Sequence, residues 1–307
     1  MKVENIGEFG LIDRIKAFSN SKGHALGIGD DCAIIPQGER EILVSVDALV
    51  EGVHFFKNAE PFLLGRKSLA VNISDIAAMA GEPKWAFLSL SLKSGTELSW
   101  VDDFLKGFIS MADEFGVELL GGDTTKAKET VIGVTIIGEN PIGASVKRGT
   151  ARAGDLVCVS GKIGCSYAGL KALELNLKGY QNFIEAHINP TPRVNEALSI
   201  REFATAMIDV SDGFIQDCNH ICKQSGVGMK IWWDSIPFCD ADFITKEQML
   251  CGGEDYQIAA CIDRRFKDKI EKNPYFTIVG EVVEGKEVVI VKDSDVIEIK
   301  KCGYEHF

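Results

Sequence analysis

The chain has 307 residues, 46% hydrophobic and 25% charged, a composition that excludes a disordered or fibrous protein. Its 45 Asp+Glu against 33 Lys+Arg give a formal charge of -12, and no basic stripe offsets it, so nucleic acid is excluded as a partner. No run approaches the roughly 20 uncharged apolar residues of a membrane span, and the amphipathic start lacks the apolar centre and cleavage site of a signal peptide. These features predict a soluble, cytoplasmic protein with no membrane partner.

The length exceeds what a single core usually supports, so two domains are expected. Apolar runs at 41–49, 85–92, 117–121 and 131–138 predict strands, and apolar residues three or four apart predict helices over 64–80 and 98–115. A turn-like RGTARAGD segment then separates this set from a second one. The boundary is placed between Gly143 and Gly154, giving domains 1–143 and 144–307. Beyond it, strands are expected near 155–160, 206–210, 228–233, 256–261, 276–283 and 287–292, and helices near 165–177, 191–203 and 212–225. Strand and helix alternate in both halves, which predicts α/β or α+β. The nine Cys are odd in number and scattered through apolar runs, so no disulfide framework is expected and a reducing compartment is inferred. Cys218 and Cys222 stand four apart without a second pair, which does not make a metal site.

No P-loop is present, and Gly27-Ile28-Gly29 is followed by Asp30 and Asp31, so a dinucleotide fingerprint fails as well. What recurs is Asp in a Gly-rich turn or at a strand end: Asp30, Asp47, Asp123, Asp209, Asp212 and Asp255. One such Asp is ordinary turn chemistry. The set together suits Mg²⁺, which takes hard carboxylate oxygens and completes its shell with water and phosphate. In the strand 41–49, Ser45 and Asp47 share one face and Val44 and Val46 the other. Asp75 lies inside the apolar run VNISDIAAMAG, where a carboxylate needs a partner unless it faces solvent. Ser211 or Asp212 could cap the helix that follows, or that helix start could present N–H groups to phosphate while Asp209 and Asp212 hold metal. His54 reads as a packing residue and Arg148 as an isolated cation in the linker, either surface or functional.

These segments resemble the motif series of the thiamine-monophosphate kinase family, within the aminoimidazole ribonucleotide synthetase-like superfamily. The match runs through GIGDDCAII, SVDALVEGVHF, GRKSLAVNISDIAAMAGEP, GGDTT, RGTARAGD, NPTPR, DVSDG, GGEDYQI and the terminal GYEHF. The resemblance implies an N-terminal α/β domain whose sheet pairs with its twin in a homodimer, followed by an α+β domain. It implies metal ligation by Asp30, Ser45, the Val46 carbonyl, Asp47, Asp75, Asp123, Asp209 and Asp212, for several Mg²⁺ ions. By the same resemblance Asp30, Asp47, Asp75 and Asp212 are catalytic, and Gly122, Asp123, Arg148 and Ser211 contact ATP. His54, Glu254 and a terminal aromatic, Tyr304 or Phe307, are expected to contact thiamine monophosphate. Where many relatives have F-Y-x-G with a Tyr that contacts nucleotide, this chain has Phe104-Leu105-Lys106-Gly107, so an adenine or ribose contact is expected to be weaker or supplied elsewhere. The implied reaction is direct γ-phosphoryl transfer from ATP to thiamine monophosphate. The rival readings are another ATP-dependent step of the superfamily, such as aminoimidazole ribonucleotide synthesis, and a non-catalytic nucleotide-binding module.

Overall fold

The computed structural model describes residues 2–19, 23, 25–293, 295–297, 299, 302–304 and 306. After helix α1 (Gly7–Phe18), strands β1 (Ala33–Gln37), β2 (Arg40–Val50), β3 (Glu82–Leu92), β4 (Glu118–Lys126) and β5 (Val131–Pro141) form one mixed sheet. Its order is β1-β2-β5-β3-β4, with only β3 and β4 parallel. Helices α2 (Pro61–Ala78) and α3 (Leu98–Phe115) cover one face of it.

The second half follows in chain order with β6 (Leu156–Ser160), α4 (Cys165–Glu174), α5 (Gln181–Ile188), α6 (Val194–Ile200), β7 (Ala204–Asp209) and α7 (Phe214–Ser225). Then come β8 (Gly228–Trp232), α8 (Lys246–Cys251), β9 (Ile258–Ile262), α9 (Lys267–Glu271), β10 (Phe276–Val283), β11 (Val288–Lys292) and β12 (Asp295–Ile297). Seven strands assemble in the order β12-β11-β8-β10-β6-β9-β7, antiparallel except for β8 with β11. The architecture is thus mixed α/β in two sheets. Two short strands, β1 and β12, were not expected, and β4 extends beyond 121 to take in the whole GGDTT segment.

Helix α2 links the halves. Glu60 caps it by accepting from the N–H groups of Phe62 and Leu63, and Pro61 fits the first turn, where its missing donor costs nothing. Beyond that turn the helix is buried on nearly every side. Leu69, Ile73 and Ile76 join a core that holds Leu43 and Ile132 from the first sheet and Met207 and Ile258 from the second. A helix buried nearly all round carries few solvated positions, and of its polar residues Lys67, Ser68, Asn72 and Ser74 are buried while Arg66 and Asp75 are partly so. Gly65 and Gly107 let α2 and α3 touch, since a Cβ at either would overlap a backbone carbonyl oxygen, of Phe104 or of Phe62 respectively. The second core lies on the far face of the seven-stranded sheet, where Phe214, Cys218 and Ile221 of α7 meet Val157, Ile208 and Ala259.

The other face of the five-stranded sheet has no cover among the described residues. Ile35, Val46 and Phe87 stand exposed there, Val46 at 64%. No helix among the described residues is long and apolar enough to cross a membrane. One expectation fails: Cys251 and Cys302 form a disulfide across 51 residues of sequence, joining the end of α8 to the C-terminal segment. Their separation in the chain gave no local sign of it. Cys218 and Cys222 are free thiols buried in the second core.

Candidate active site

Between the two halves opens a cavity of about 750 Å³. Strand β2 sends Ser45 and Asp47 toward it from its helix-covered face, as alternation requires. Helix α2 brings Asp75, the loop before β1 brings Asp30 and Asp31, and β7 ends on Asp209. Four separate elements therefore deliver carboxylates to one place. Oxygens of Asp31, Asp75 and Asp209 all lie within 4.8 Å of one another.

Neighbouring groups hold each carboxylate in position. Ser45 Oγ donates to Asp75 Oδ2 at 2.6 Å, and Ser74 Oγ donates to Asp209 Oδ2 at 2.6 Å. The Asp47 backbone is fixed by its N–H, which donates to Asn72 Oδ1 at 3.1 Å. Arg148 Nε donates to Asp31 Oδ2 at 2.9 Å and its Nη2 makes a second contact to the same carboxylate, while its backbone N–H donates to both oxygens of Asp30 at 3.3 Å. Arg148, read from sequence as an isolated cation, is the cluster's counter-charge.

One guanidinium does not balance this much negative charge. Burial and then Asp31 raise Asp30 to about 7 and Asp209 to about 8. Burial and then Asp47 hold Asp75 well above the carboxylate range, and Asp47 rises through burial and Asp31. An all-oxygen donor set that resists ionisation until it meets a positive charge fits a hard divalent cation such as Mg²⁺.

Beside this cluster, Asp212, Asp217 and His220 form a second group within 4.8 Å. The residue at the start of α7 is Gly213, without a side-chain cap, so neither Ser211 nor Asp212 plays that part. Asp217 instead reaches back to accept from the N–H groups of Asp212 and Gly213 at 3.2 and 3.0 Å. Burial, then Glu8, lifts Asp212 to about 6, and burial lowers His220 to about 4, leaving a neutral imidazole.

The same cavity is also lined by His54, Glu254, Tyr304 and His306. His54 Nδ1 accepts from the Val50 N–H at 2.9 Å, while His54 Nε2 lies 3.4 Å from His306 Nε2. The His306 ring also meets Tyr304 edge to face at 5.0 Å. The Tyr304 N–H donates to the Asp212 carbonyl at 3.2 Å, and the His306 N–H to Glu8 at 3.0 Å. Glu254 follows the Gly252-Gly253 turn with φ of 65°, and its carboxylate meets Lys67 Nζ at 3.0 Å. Burial works against that charge and is the largest single influence, but the surrounding groups, Lys67 first among them, together outweigh it and Glu254 stays below its usual range.

Of the residues proposed from sequence, Asp30, Ser45, Asp47, Asp75, Arg148 and Asp209 meet in this cavity, as do Ser211, Asp212, His54, Glu254 and Tyr304. Gly122, Asp123 and Val46 do not line it. Gly122 and Asp123 sit on edge strand β4, three strands from β2, and Asp123 pairs with Ser89 on the uncovered face of the sheet. Phe307 lies outside the described residues. The structure adds Glu8, Asp31, Lys67, Asp217 and His220, none of which was singled out from sequence.

Residues 29–140 match the family described as AIR synthase related protein, N-terminal domain, and residues 152–293 match its C-terminal domain. A thiamine-monophosphate kinase of Aquifex aeolicus is 36% identical over 322 aligned positions, covering 100% of both chains. The chain belongs to the thiamine-monophosphate kinase family. The family member of Escherichia coli K12 is 34% identical, with 98% of each chain covered. The solved structure of AaThiL complexed with AMPPCP and TMP superposes with a TM-score of 0.90 at 34% identity, covering 100% of this chain and 99% of that one. Hydrogenase maturation protein HypE of Escherichia coli shares the fold alone, with a TM-score of 0.69 at 17% identity. In this member of the thiamine-monophosphate kinase family the carboxylate cluster and Arg148 line one cavity together with His54, Glu254 and Tyr304.

Proposed function

We propose that this kinase transfers the γ-phosphoryl group of ATP directly onto the phosphate of thiamine monophosphate, giving thiamine diphosphate and ADP. The observation that carries the reading is the convergence of Asp30, Asp47, Asp75 and Asp209, from four elements, beside Arg148 and within the same cavity as Glu254 and Tyr304. The acceptor is already an ionised phosphate, so no general base is required. The physical obstacle is the meeting of two polyanions.

Bound Mg²⁺ ions would supply the neutralising charge, held by the carboxylates of Asp30, Asp47, Asp75, Asp209 and Asp212 with Ser45 as a further oxygen donor. The protein's own part is positional. Ser45 and Ser74 hold the Asp75 and Asp209 carboxylates, Arg148 offsets Asp30 and Asp31, and the cavity these share with Glu254 and Tyr304 would hold donor and acceptor for an in-line approach.

The uncovered apolar face of the first sheet supports a homodimer built on that face. Strands lie about 4.8 Å apart, so Asp123 is roughly 14 Å of sheet from β2 and on its other side. In our reading Gly122, Asp123 and the Val46 carbonyl reach nucleotide or metal near that dimer seam. We also divide the chain into an N-terminal half, 1–143, for ATP, metal and dimerisation and a C-terminal half, 144–307, and take its place of work to be the cytoplasm.

The test is incubation of purified protein with Mg-ATP and thiamine monophosphate, with thiamine diphosphate and ADP followed by chromatography. Equal formation of both products supports direct transfer. ADP with no thiamine diphosphate would sink it.

A further inference from the structure

Among the described residues Lys67 is the one buried lysine, with its side chain 3% exposed, and it stands on α2. A lysine in such a place is costly unless it meets an opposite charge. Its partner is Glu254 Oε1, at 3.0 Å. The other carboxylate oxygen, Glu254 Oε2, lies 3.3 Å from His187 Nδ1, which in turn stands 3.0 Å from Ser166 Oγ. His187 is lowered to about 4 by burial and then by Lys67, so Lys67 is the main counter-charge of the Glu254 carboxylate.

The loop being held needs such a fixture. Glu254 and Tyr256 both have left-handed backbone, φ 65° and 48°, a conformation that non-glycine residues adopt only when their surroundings impose it. Asp255 between them anchors the loop to α4, its carboxylate accepting from the Gly164 and Ser166 N–H groups at 2.6 and 2.9 Å. Lys67 then fixes the side chain that this backbone presents.

Lys67, Val71 and Asp75 recur at i, i+4 and i+8 along α2; Val71 and Asp75 line the cavity, and Lys67 reaches it through Glu254. One rigid helix thus carries both a metal-site carboxylate and the cation that fixes Glu254, about 12 Å apart along its axis at 1.5 Å per residue.

We infer that Lys67 is a positioning residue for the acceptor: it acts through Glu254, and α2 sets the spacing between recognition of the thiamine moiety and the site of phosphoryl transfer. The inference rests on the reading of Glu254 as an acceptor contact. A residue that acts only through Glu254 loses its influence once the Glu254 charge is gone, and a residue that merely supports the fold does not.

The experiment is a double-mutant cycle of Lys67→Met and Glu254→Gln, with KM for thiamine monophosphate, KM for Mg-ATP and kcat measured on the full chain. Lys67→Met is expected to raise KM for thiamine monophosphate at least about tenfold, with KM for ATP and kcat within roughly twofold of the parent. Glu254→Gln should do the same, and the double variant should match Glu254→Gln rather than multiply the two effects. Should Lys67→Met fail to fold because it strands a buried carboxylate, the double variant, which removes both charges, still gives the decisive comparison with Glu254→Gln. Effects that multiply, or a Lys67→Met that shifts both KM values alike, overturn the inference. An unchanged KM in Lys67→Met alone overturns it while sparing Glu254. An unchanged KM in Glu254→Gln overturns the reading of Glu254 and the inference with it.

Discussion

Asp75→Asn gives the sharpest test of the metal assignment, because the change keeps the shape and the Ser45 hydrogen bond while deleting one charge. Asp75 has oxygens within 4.8 Å of those of Asp31 and Asp209. At that distance and an effective dielectric constant of about 20, two unit charges interact by about 3.5 kcal/mol, so one carboxylate's hold on the charge gathered here is of that order. Lost wholly from the transition state, this is roughly 300-fold in rate at 1.36 kcal/mol per decade. Asp31, Asp47 and Asp209 remain to share the load, which sets the expected floor at about a tenfold fall in kcat. Stability should move the other way. The Asp75 carboxyl is pushed up by burial and by Asp47, so its ionisation opposes folding near neutral pH, and Asn removes that cost. The assay is turnover across a Mg²⁺ titration together with a melting curve in chelator. Unchanged turnover at every Mg²⁺ concentration, with folding intact, would refute the reasoning.

Metal-free protein should become less stable as pH rises from about 6 to about 8, because Asp212, Asp30 and Asp209 are raised to about 6, 7 and 8 and the folded state therefore binds more protons than the unfolded one in that window. Saturating Mg²⁺ should flatten this slope, and melting curves at several pH values with and without the ion check it. Tyr304→Ala should raise KM for thiamine monophosphate far more than KM for ATP, since the ring lines the cavity beside His306, the neighbour of His54; equal changes in both, with a lower melting temperature, would mean that the segment only packs. Light scattering at micromolar protein should give a dimer mass, and a monomer of full activity would remove the sheet-face assembly. Gly107→Ala should cost about 1–3 kcal/mol, read as a lower denaturant midpoint, because its methyl group has nowhere to go against the Phe62 carbonyl.

Much of the site was legible because Gly-Asp turns and strand ends announce themselves locally. Asp30, Asp47, Asp209 and Asp212 could be chosen without knowing what lay opposite them, whereas Asp75 drew notice as a carboxylate inside an apolar helical run. Asp31 stood in the same run and was passed over, since adjacent residues in a loop give no periodicity by which to rank them; its burial against Arg148 is a long-range fact. Asp217 and His220 lie on α7, whose pattern shows that one face is polar but not that the face meets a cavity. Lys67 was hidden for another reason: a lysine in a helical pattern is taken to face water, and only the second sheet, laid over α2 from far along the chain, puts it inside. The disulfide between Cys251 and Cys302 was invisible for the same cause, its partners being 51 residues apart. Most strands were readable from apolar runs, whereas three-residue β12 is too short to show an alternation.

Because α2 seals the interior of both sheets, the halves are bound into a single cooperative unit even though each has its own sheet. A fragment stopping at the linker would present one side of α2, with its buried Lys67 and Ser74, to water without the residues that answer them. Exchange of either half for a foreign counterpart must match two packing surfaces and two polar contacts on one helix at once. Such a constraint makes the helix the place where a transplanted half would first fail.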